Sequence, residues 1–117
     1  MRLAPLLLAL PLLGAAPAPA PTTVTIAMSN FRFEPAVIRL KRGQPYVLHF
    51  VNRSKGGHNF IAPKFFQATR SGIDTVEVPG NSAIDFSIVA PAPGRYKVKC
   101  GHFMHGAMGM KGEVLVE

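Results

Sequence analysis

The sequence predicts an all-β protein, a Greek-key β-sandwich of about seven or eight strands with at most one short helix. Short segments of alternating apolar and polar residues follow one another along the chain. This period of two is typical of strands with one buried face. Turn residues separate the segments. No segment has the pattern of a helix long enough for a bundle or for a crossover between parallel strands.

The first half of the chain contains four predicted strands. Residues 22–28 alternate between apolar and polar or small side chains, and residues 36–40 do so as far as the basic turn at 41–43. Residues 46–52 place two aromatic side chains and a leucine on one face. A glycine pair then breaks the chain, and residues 59–62 continue as the fourth strand.

The second half begins with the one predicted helix and contains four more strands. Residues 64–70 follow a proline and predict one or two helical turns. Residues 75–78 form a short strand before a Pro-Gly-Asn turn, and residues 82–89 form a long one with three apolar side chains on one side. Residues 94–100 and 113–117 flank a loop and complete the sandwich.

The N-terminal residues are predicted to lie outside the domain. A positive start and a short apolar run followed by small residues indicate a signal peptide over residues 1–15, with cleavage in the range 15–20. The apolar run is too short to span a membrane. Residues 16–21 form an Ala/Pro-rich leader, and residues 22–117 form the domain, which is long enough for a core of its own.

The predicted export makes the single cysteine, Cys100, informative. A lone thiol has no internal disulfide partner in an oxidising compartment, so a thiolate held by a metal ion is the better explanation. The formal net charge of +7 comes from scattered Lys and Arg residues. Without interleaved exposed aromatic residues, that charge does not indicate a nucleic-acid-binding protein, but it would steer a partner with an acidic surface.

The segment 100–110 concentrates soft ligands. It contains the only cysteine, two of the four histidines and three of the five methionines. Thiolate, thioether and imidazole favour copper, and a blue-copper centre needs two His, one Cys and a weak axial Met. His58 is the natural candidate for the missing second histidine. Within the segment several residues compete for the other positions: His102, Met104, His105, Met108 and Met110.

These motifs together resemble the cupredoxin family, the small type-1 copper proteins that include plastocyanin, pseudoazurin, amicyanin and azurin. The resemblance rests on Gly-His58-Asn59 combined with Cys100, His105 and Met110, which are separated by four residues each. It implies one type-1 copper with His58, Cys100 and His105 as equatorial ligands and Met110 as the axial ligand.

The chain departs from the family pattern after the cysteine. In many cupredoxins the Asn that follows the first His is tied by its side chain to a Ser or Thr after the Cys. Gly101 stands at that position here, so we expect this latch to be missing. The backbone N–H of Asn59 is still expected to bond the thiolate and to tune the reduction potential.

Three further soft ligands exceed the needs of one type-1 site: His102, Met104 and Met108. His102 is expected either at an exposed edge for electron entry or in a second, weaker copper site with Met104. Met104 and Met108 could also cover the exposed edge of the centre, since Met fills irregular gaps. This surplus is similar to that of periplasmic cupredoxins linked to copper tolerance.

The resemblance implies a periplasmic electron carrier that cycles Cu(II)/Cu(I) between redox partners. Nothing in the sequence indicates an obligate interface, so we expect a monomer. Enzymatic activity is not expected, because a type-1 site has no open position for a substrate. The alternative is a periplasmic copper-binding protein for copper tolerance or trafficking, for which soft, exchangeable ligands are suited.

Overall fold

The structure is a computed structural model that describes residues 4–5, 8–14, 17–102, 107 and 109–117. The described residues before Thr22 are exposed and belong to no helix or strand. Within the described ranges, no helix combines the length and the apolar character needed to cross a membrane.

Nine strands and one short helix make up the described chain. In order they are β1 (Thr22–Ser29), β2 (Arg32–Glu34), β3 (Val37–Leu40), β4 (Pro45–Asn52), β5 (His58–Ile61), α1 (Pro63–Ala68), β6 (Thr75–Val78), β7 (Ser82–Val89), β8 (Gly94–Lys99) and β9 (Lys111–Val116). They form two sheets, with strand orders β2-β1-β4-β7 and β3-β9-β8-β5-β6. The pairs β1–β4 and β3–β9 are parallel, whereas the other pairs are antiparallel.

The inner faces of both sheets enclose one apolar core, which confirms the predicted all-β sandwich. The sequence missed β2, whose three residues include a single buried side chain, Phe33. An alternation this short gives no periodic signal. The predicted helix is present but begins at Pro63, a residue that is favoured in the first helical turn because its missing N–H would have no helical acceptor.

Phe60 on β5 anchors the strand that carries the first predicted copper ligand. Its side chain is fully buried. Its ring centroid lies 4.9 Å from that of Phe50 on β4, 5.7 Å from Phe33 on β2 and 6.0 Å from Phe66 on α1. The ring therefore joins both sheets and the helix, and it holds β5 two residues from His58.

Candidate metal centre

Three predicted donor side chains meet at one end of the sandwich. His58 is the first residue of β5, Cys100 directly follows β8, and Met110 directly precedes β9. Their relative exposures are 0%, 1% and 0%. An imidazole and a thiol at this depth must be satisfied inside the protein, because water does not reach them.

The hairpin of β8 and β9 brings Cys100 and Met110 together. Lys99 lies opposite Lys111 in the antiparallel register, and one step further the backbone N–H of Cys100 donates to the carbonyl oxygen of Met110 at 3.1 Å. Because side chains alternate along a strand, Cys100 points inward with Val98 while the two lysines are exposed. The hairpin thus places the thiol and the thioether at the same end of the core.

The imidazole of His58 lies beside the thiol of Cys100. Its Nδ1 atom is 3.8 Å from Sγ. A nitrogen and a sulfur bonded to one metal ion at about 2.0 and 2.3 Å, with about 120° between the bonds, are about 3.7 Å apart. The observed separation therefore fits two ligands of the same metal ion.

The loop before β5 is held by the buried side chain of Asn52, which is 1% exposed. Its amide nitrogen donates to the carbonyl oxygens of Gly56, Val78 and Pro79 at 2.9, 3.0 and 3.2 Å. Its side-chain oxygen accepts the N–H of Ser54 at 3.0 Å. From the sequence, Asn52 was expected only to end a strand. A polar residue on the buried face of an alternating strand was the available signal.

Asn59 joins β5, which carries His58, to the segment that begins at Cys100. Its backbone N–H donates to Sγ of Cys100 at 3.5 Å, the contact expected from the sequence. Its Oδ1 accepts the backbone N–H of Gly101 at 2.6 Å. The expected loss of the latch at this position is therefore only partial. A hydroxyl is missing, but the main-chain N–H that every non-proline residue carries ties Asn59 to the residue after the cysteine.

Gly101 lies in a crowded position. A Cβ atom there would be 2.5 Å from Cδ1 of Ile61, whereas the next nearest atoms, both in the Asn59 side chain, would be 3.7 Å away. A side chain at this position would therefore require the end of the Ile61 side chain to move.

Glu77 is a site residue that the sequence did not reveal. It lies opposite Asn59 in the pairing of β5 with β6, and Nδ2 of Asn59 donates to Oε1 of Glu77 at 3.2 Å. Nε2 of His102 lies 3.2 Å from each carboxylate oxygen. The register that makes these contacts is not set by a tight turn, because α1 connects β5 to β6.

His102, a predicted accessory copper residue, lies at the edge of the candidate centre. Its ring centroid is 6.5 Å from that of His58, and its side chain is 35% exposed. A Cβ atom at Gly57 would lie 3.2 Å from Cε1 of His102, so the glycine leaves room for this ring.

Three predicted site residues lie outside the described residues: Met104, His105 and Met108. In the part of the chain that the structure describes, no group of three or more His, Cys, Asp or Glu side chains could hold a metal ion. The described donors are thus His58 and Cys100, with the thioether of Met110.

A family model described as a cupredoxin-like domain matches residues 2–116. The chain belongs to this family. Auracyanin from the photosynthetic bacterium Roseiflexus castenholzii, solved after reduction with Na-dithionite, has a similar structure with a TM-score of 0.66 and 22% identity. That alignment covers 85% of this cupredoxin and 99% of the auracyanin. Auracyanin A, a "blue" copper protein from Chloroflexus aurantiacus, has a TM-score of 0.65 and 21% identity, over 84% and 100% of the two chains.

A third similar structure binds copper in another setting. The metal-binding domain of the Cu(I)-exporting P-type ATPase of Streptococcus pneumoniae, solved with Cu(I), has a TM-score of 0.56 and 17% identity. The alignment covers 81% of this cupredoxin and 84% of that domain. At these identities the likeness establishes the fold alone. No curated protein matches the cupredoxin significantly.

A basic surface, defined here as Lys97, Lys99 and Lys111, flanks the candidate centre of this cupredoxin. The three lysines line an open depression of about 460 Å³ on the outer face of the five-stranded sheet. Lys99 and Lys111 are directly opposite, where like charges repel each other. The salt bridges found in the described residues involve other side chains, although Glu113, which pairs with Arg95, lies directly opposite Lys97 in the β8–β9 pairing.

Proposed function

We propose that this cupredoxin is a periplasmic type-1 copper protein that carries single electrons between redox partners. The proposal rests on one observation: His58, Cys100 and Met110 converge in the interior, with the imidazole 3.8 Å from the sulfur. Imidazole, thiolate and thioether together form the donor set of blue-copper sites. The family membership and the structural likeness to a blue copper protein support the proposal.

The residues that would hold the copper ion are His58, Cys100, His105 and Met110. The contacts of His102 support His105 as the second histidine. The ring of His102 is turned to Glu77, with Nε2 at 3.2 Å from both carboxylate oxygens. The two-residue spacing between Cys100 and His102 would also require a sharp reversal of the chain to reach the same ion.

Bound copper would supply the Cu(II)/Cu(I) couple. The protein contributes a fixed and dry environment for it. His58 lies on β5, which the aromatic core holds, and Cys100 and Met110 directly adjoin β8 and β9, so the positions of the donors should change little between oxidation states. The N–H of Asn59 points at the sulfur and stabilises negative charge on it. A site closed by its own ligands leaves no position for a substrate, so we propose that the protein is not an enzyme. We also propose that electrons pass through the ring edge of His105.

The proposed redox partner presents an acidic surface. The basic surface directly adjoins the ligands, since Lys99 precedes Cys100 and Lys111 follows Met110. Complementary charge accelerates encounter and orients the two proteins. We propose that the protein acts as a monomer with one type-1 copper.

The proposed location follows from the predicted organisation: a signal peptide over residues 1–15, a leader over 16–21 and a cupredoxin domain over 22–117. β1 begins at Thr22, which agrees with this boundary. The mass of the protein recovered from a periplasmic fraction tests it. A mature N-terminus within residues 16–21 is expected, whereas an uncleaved chain would contradict the signal peptide.

The second candidate function is copper tolerance or trafficking. His102 and Glu77 form a partly exposed pair, and the ring centroid of His102 lies 6.5 Å from that of His58. Met104 and Met108 add soft ligands nearby in the sequence. A protein that stores or delivers copper would use such groups as a second, weaker site. The likeness to a domain solved with Cu(I) agrees with this alternative.

Titration of the purified mature domain with Cu(II), followed by visible absorption, tests both functions. An intense thiolate-to-copper band that saturates at one equivalent and is lost in Cys100→Ser is expected for the carrier. Further copper that binds without changing the band, and that is lost in the double variant His102→Ala, Met104→Ala, would favour copper handling. No band at all would overturn the type-1 assignment.

A further inference from the structure

We infer that Glu77 is a positioning residue for the proposed copper site. Its carboxylate fixes the orientation of the Asn59 side-chain amide and thereby the segment that begins at Cys100. This inference rests on the proposed function, because it concerns the surroundings of the proposed thiolate ligand.

The two hydrogen bonds of the Asn59 side chain allow only one orientation of its amide. The N–H of Gly101 can only donate, and it lies 2.6 Å from Oδ1. The carboxylate of Glu77 can only accept, and its Oε1 lies 3.2 Å from Nδ2. A reversed amide would set the NH₂ group against an N–H and the carbonyl oxygen against a carboxylate. The N–H of Gly101 therefore fixes the position of Oδ1, and the carboxylate of Glu77 fixes the position of Nδ2.

The same carboxylate also contacts the next residue of the segment. Nε2 of His102 lies 3.2 Å from both oxygens of Glu77. Glu77 is thus linked to both residues that follow Cys100, to Gly101 through Asn59 and to His102 directly. The β5–β6 pairing places the backbone of Glu77 opposite Asn59, and the side chain of Glu77, which is 62% exposed, reaches Asn59 and His102 from there. One residue of β6 consequently ties the start of the ligand loop to the strand of His58.

These contacts reach the sulfur through Asn59. Its backbone N–H lies 3.5 Å from Sγ of Cys100, and its side chain is nearly buried, with the residue 9% exposed. If the amide lost its fixed orientation, Gly101 would lose its acceptor for part of the time and the backbone around Cys100 would move more. Hydrogen bonding around the cysteine sulfur tunes the reduction potential of blue-copper sites. Glu77 should therefore affect both the accessibility of the thiol and the potential.

The first test uses the copper-free protein. The rate at which iodoacetamide alkylates Cys100, followed by mass spectrometry, is compared in the unmodified chain, Glu77→Ala, Glu77→Gln and Glu117→Ala. Glutamine retains an acceptor for Asn59, and Glu117→Ala removes the same charge from an exposed ion pair with Arg39 at 2.9 Å, away from the site. We expect alkylation to be about fivefold faster in Glu77→Ala, the factor given by the loss of one ordinary hydrogen bond, and nearly unchanged in the other two. Equal rates in all four proteins would overturn the inference.

The second test uses the copper-loaded protein and measures its reduction potential. Both Glu77 variants remove one negative charge, but only Glu77→Ala also removes the acceptor. A weaker hydrogen bond to the sulfur lets the thiolate donate more strongly to Cu(II), so Glu77→Ala should have the lower potential of the two. Equal potentials would contradict the positioning role. If the unmodified chain gave no thiolate-to-copper band, the proposed function would fail, while the alkylation rates would still decide whether Glu77 holds the segment.

Discussion

Replacement of Gly101 by alanine offers a sharp test of the packing between β5 and the ligand loop. The new Cβ atom would lie 2.5 Å from Cδ1 of Ile61, roughly 1 Å closer than ordinary carbon contacts allow. The backbone of Gly101 is not in the left-handed region, so alanine itself is tolerated there. Because Cδ1 is the end of a flexible side chain that can move aside, the cost should lie at the lower end of the range for overpacking, about 1 kcal/mol, and the smaller entropy of the unfolded alanine chain offsets about 0.4–1 kcal/mol of it. We therefore expect a net loss of less than about 1 kcal/mol in the free energy of unfolding.

The double variant Gly101→Ala, Ile61→Val isolates the cause. Valine lacks Cδ1, and the next nearest atoms would be 3.7 Å from the new Cβ, an ordinary contact. Urea unfolding of the copper-free protein, followed by far-UV circular dichroism, gives the four free energies of the cycle. A favourable coupling of about 1 kcal/mol is expected for two groups in direct contact. Additive effects of the two substitutions would refute the claimed contact and the reason given for glycine after the cysteine.

Three further predictions concern the loop before β5, the core and the basic surface. Asn52→Ala should lower the free energy of unfolding by about 2–3 kcal/mol, because buried carbonyl groups lose their donor, and an unchanged urea midpoint would contradict this. Phe60→Ala should cost about 3–5 kcal/mol in the same assay, and a loss under about 1 kcal/mol would show that the ring does not join the sheets. The double variant Lys99→Glu, Lys111→Glu should slow association with an acidic redox protein at least about tenfold at low salt, measured by stopped flow. The double variant Lys41→Glu, Arg42→Glu, which changes the net charge equally at two exposed residues, is the control, and an equal effect in it would assign the steering to net charge alone.

Most of the secondary structure could be predicted from the sequence. A strand that buries one face alternates apolar and polar residues, and the longer strands show this alternation. β4 shows this directly, since every second residue from Tyr46 to Asn52 is buried. β2 was missed because three residues are too few for a period. The helix was predicted over the residues that follow Pro63, and it is present over Pro63–Ala68.

The donor types of the candidate centre could also be predicted from the sequence, since they depend only on residue type. Cys100, His58 and Met110 were identified as soft donors before any contact was known, and the structure brings these three together. The hydrogen bond between Asn59 and Gly101 was not predicted, because its donor is a main-chain N–H. Nearly every residue type carries that group, so the sequence gives no signal for it.

The sequence by itself determined that the chain forms short amphipathic strands and that its last loop carries copper-type ligands. Both properties are local, since they follow from the side chains of neighbouring residues. Only the tertiary structure decided that Glu77 lies opposite Asn59 and that Asn52 holds the loop before His58. These contacts depend on the register between strands that are distant in sequence. The residue pattern within one strand determines which of its faces is buried, but it does not determine which residue of another strand lies opposite each position.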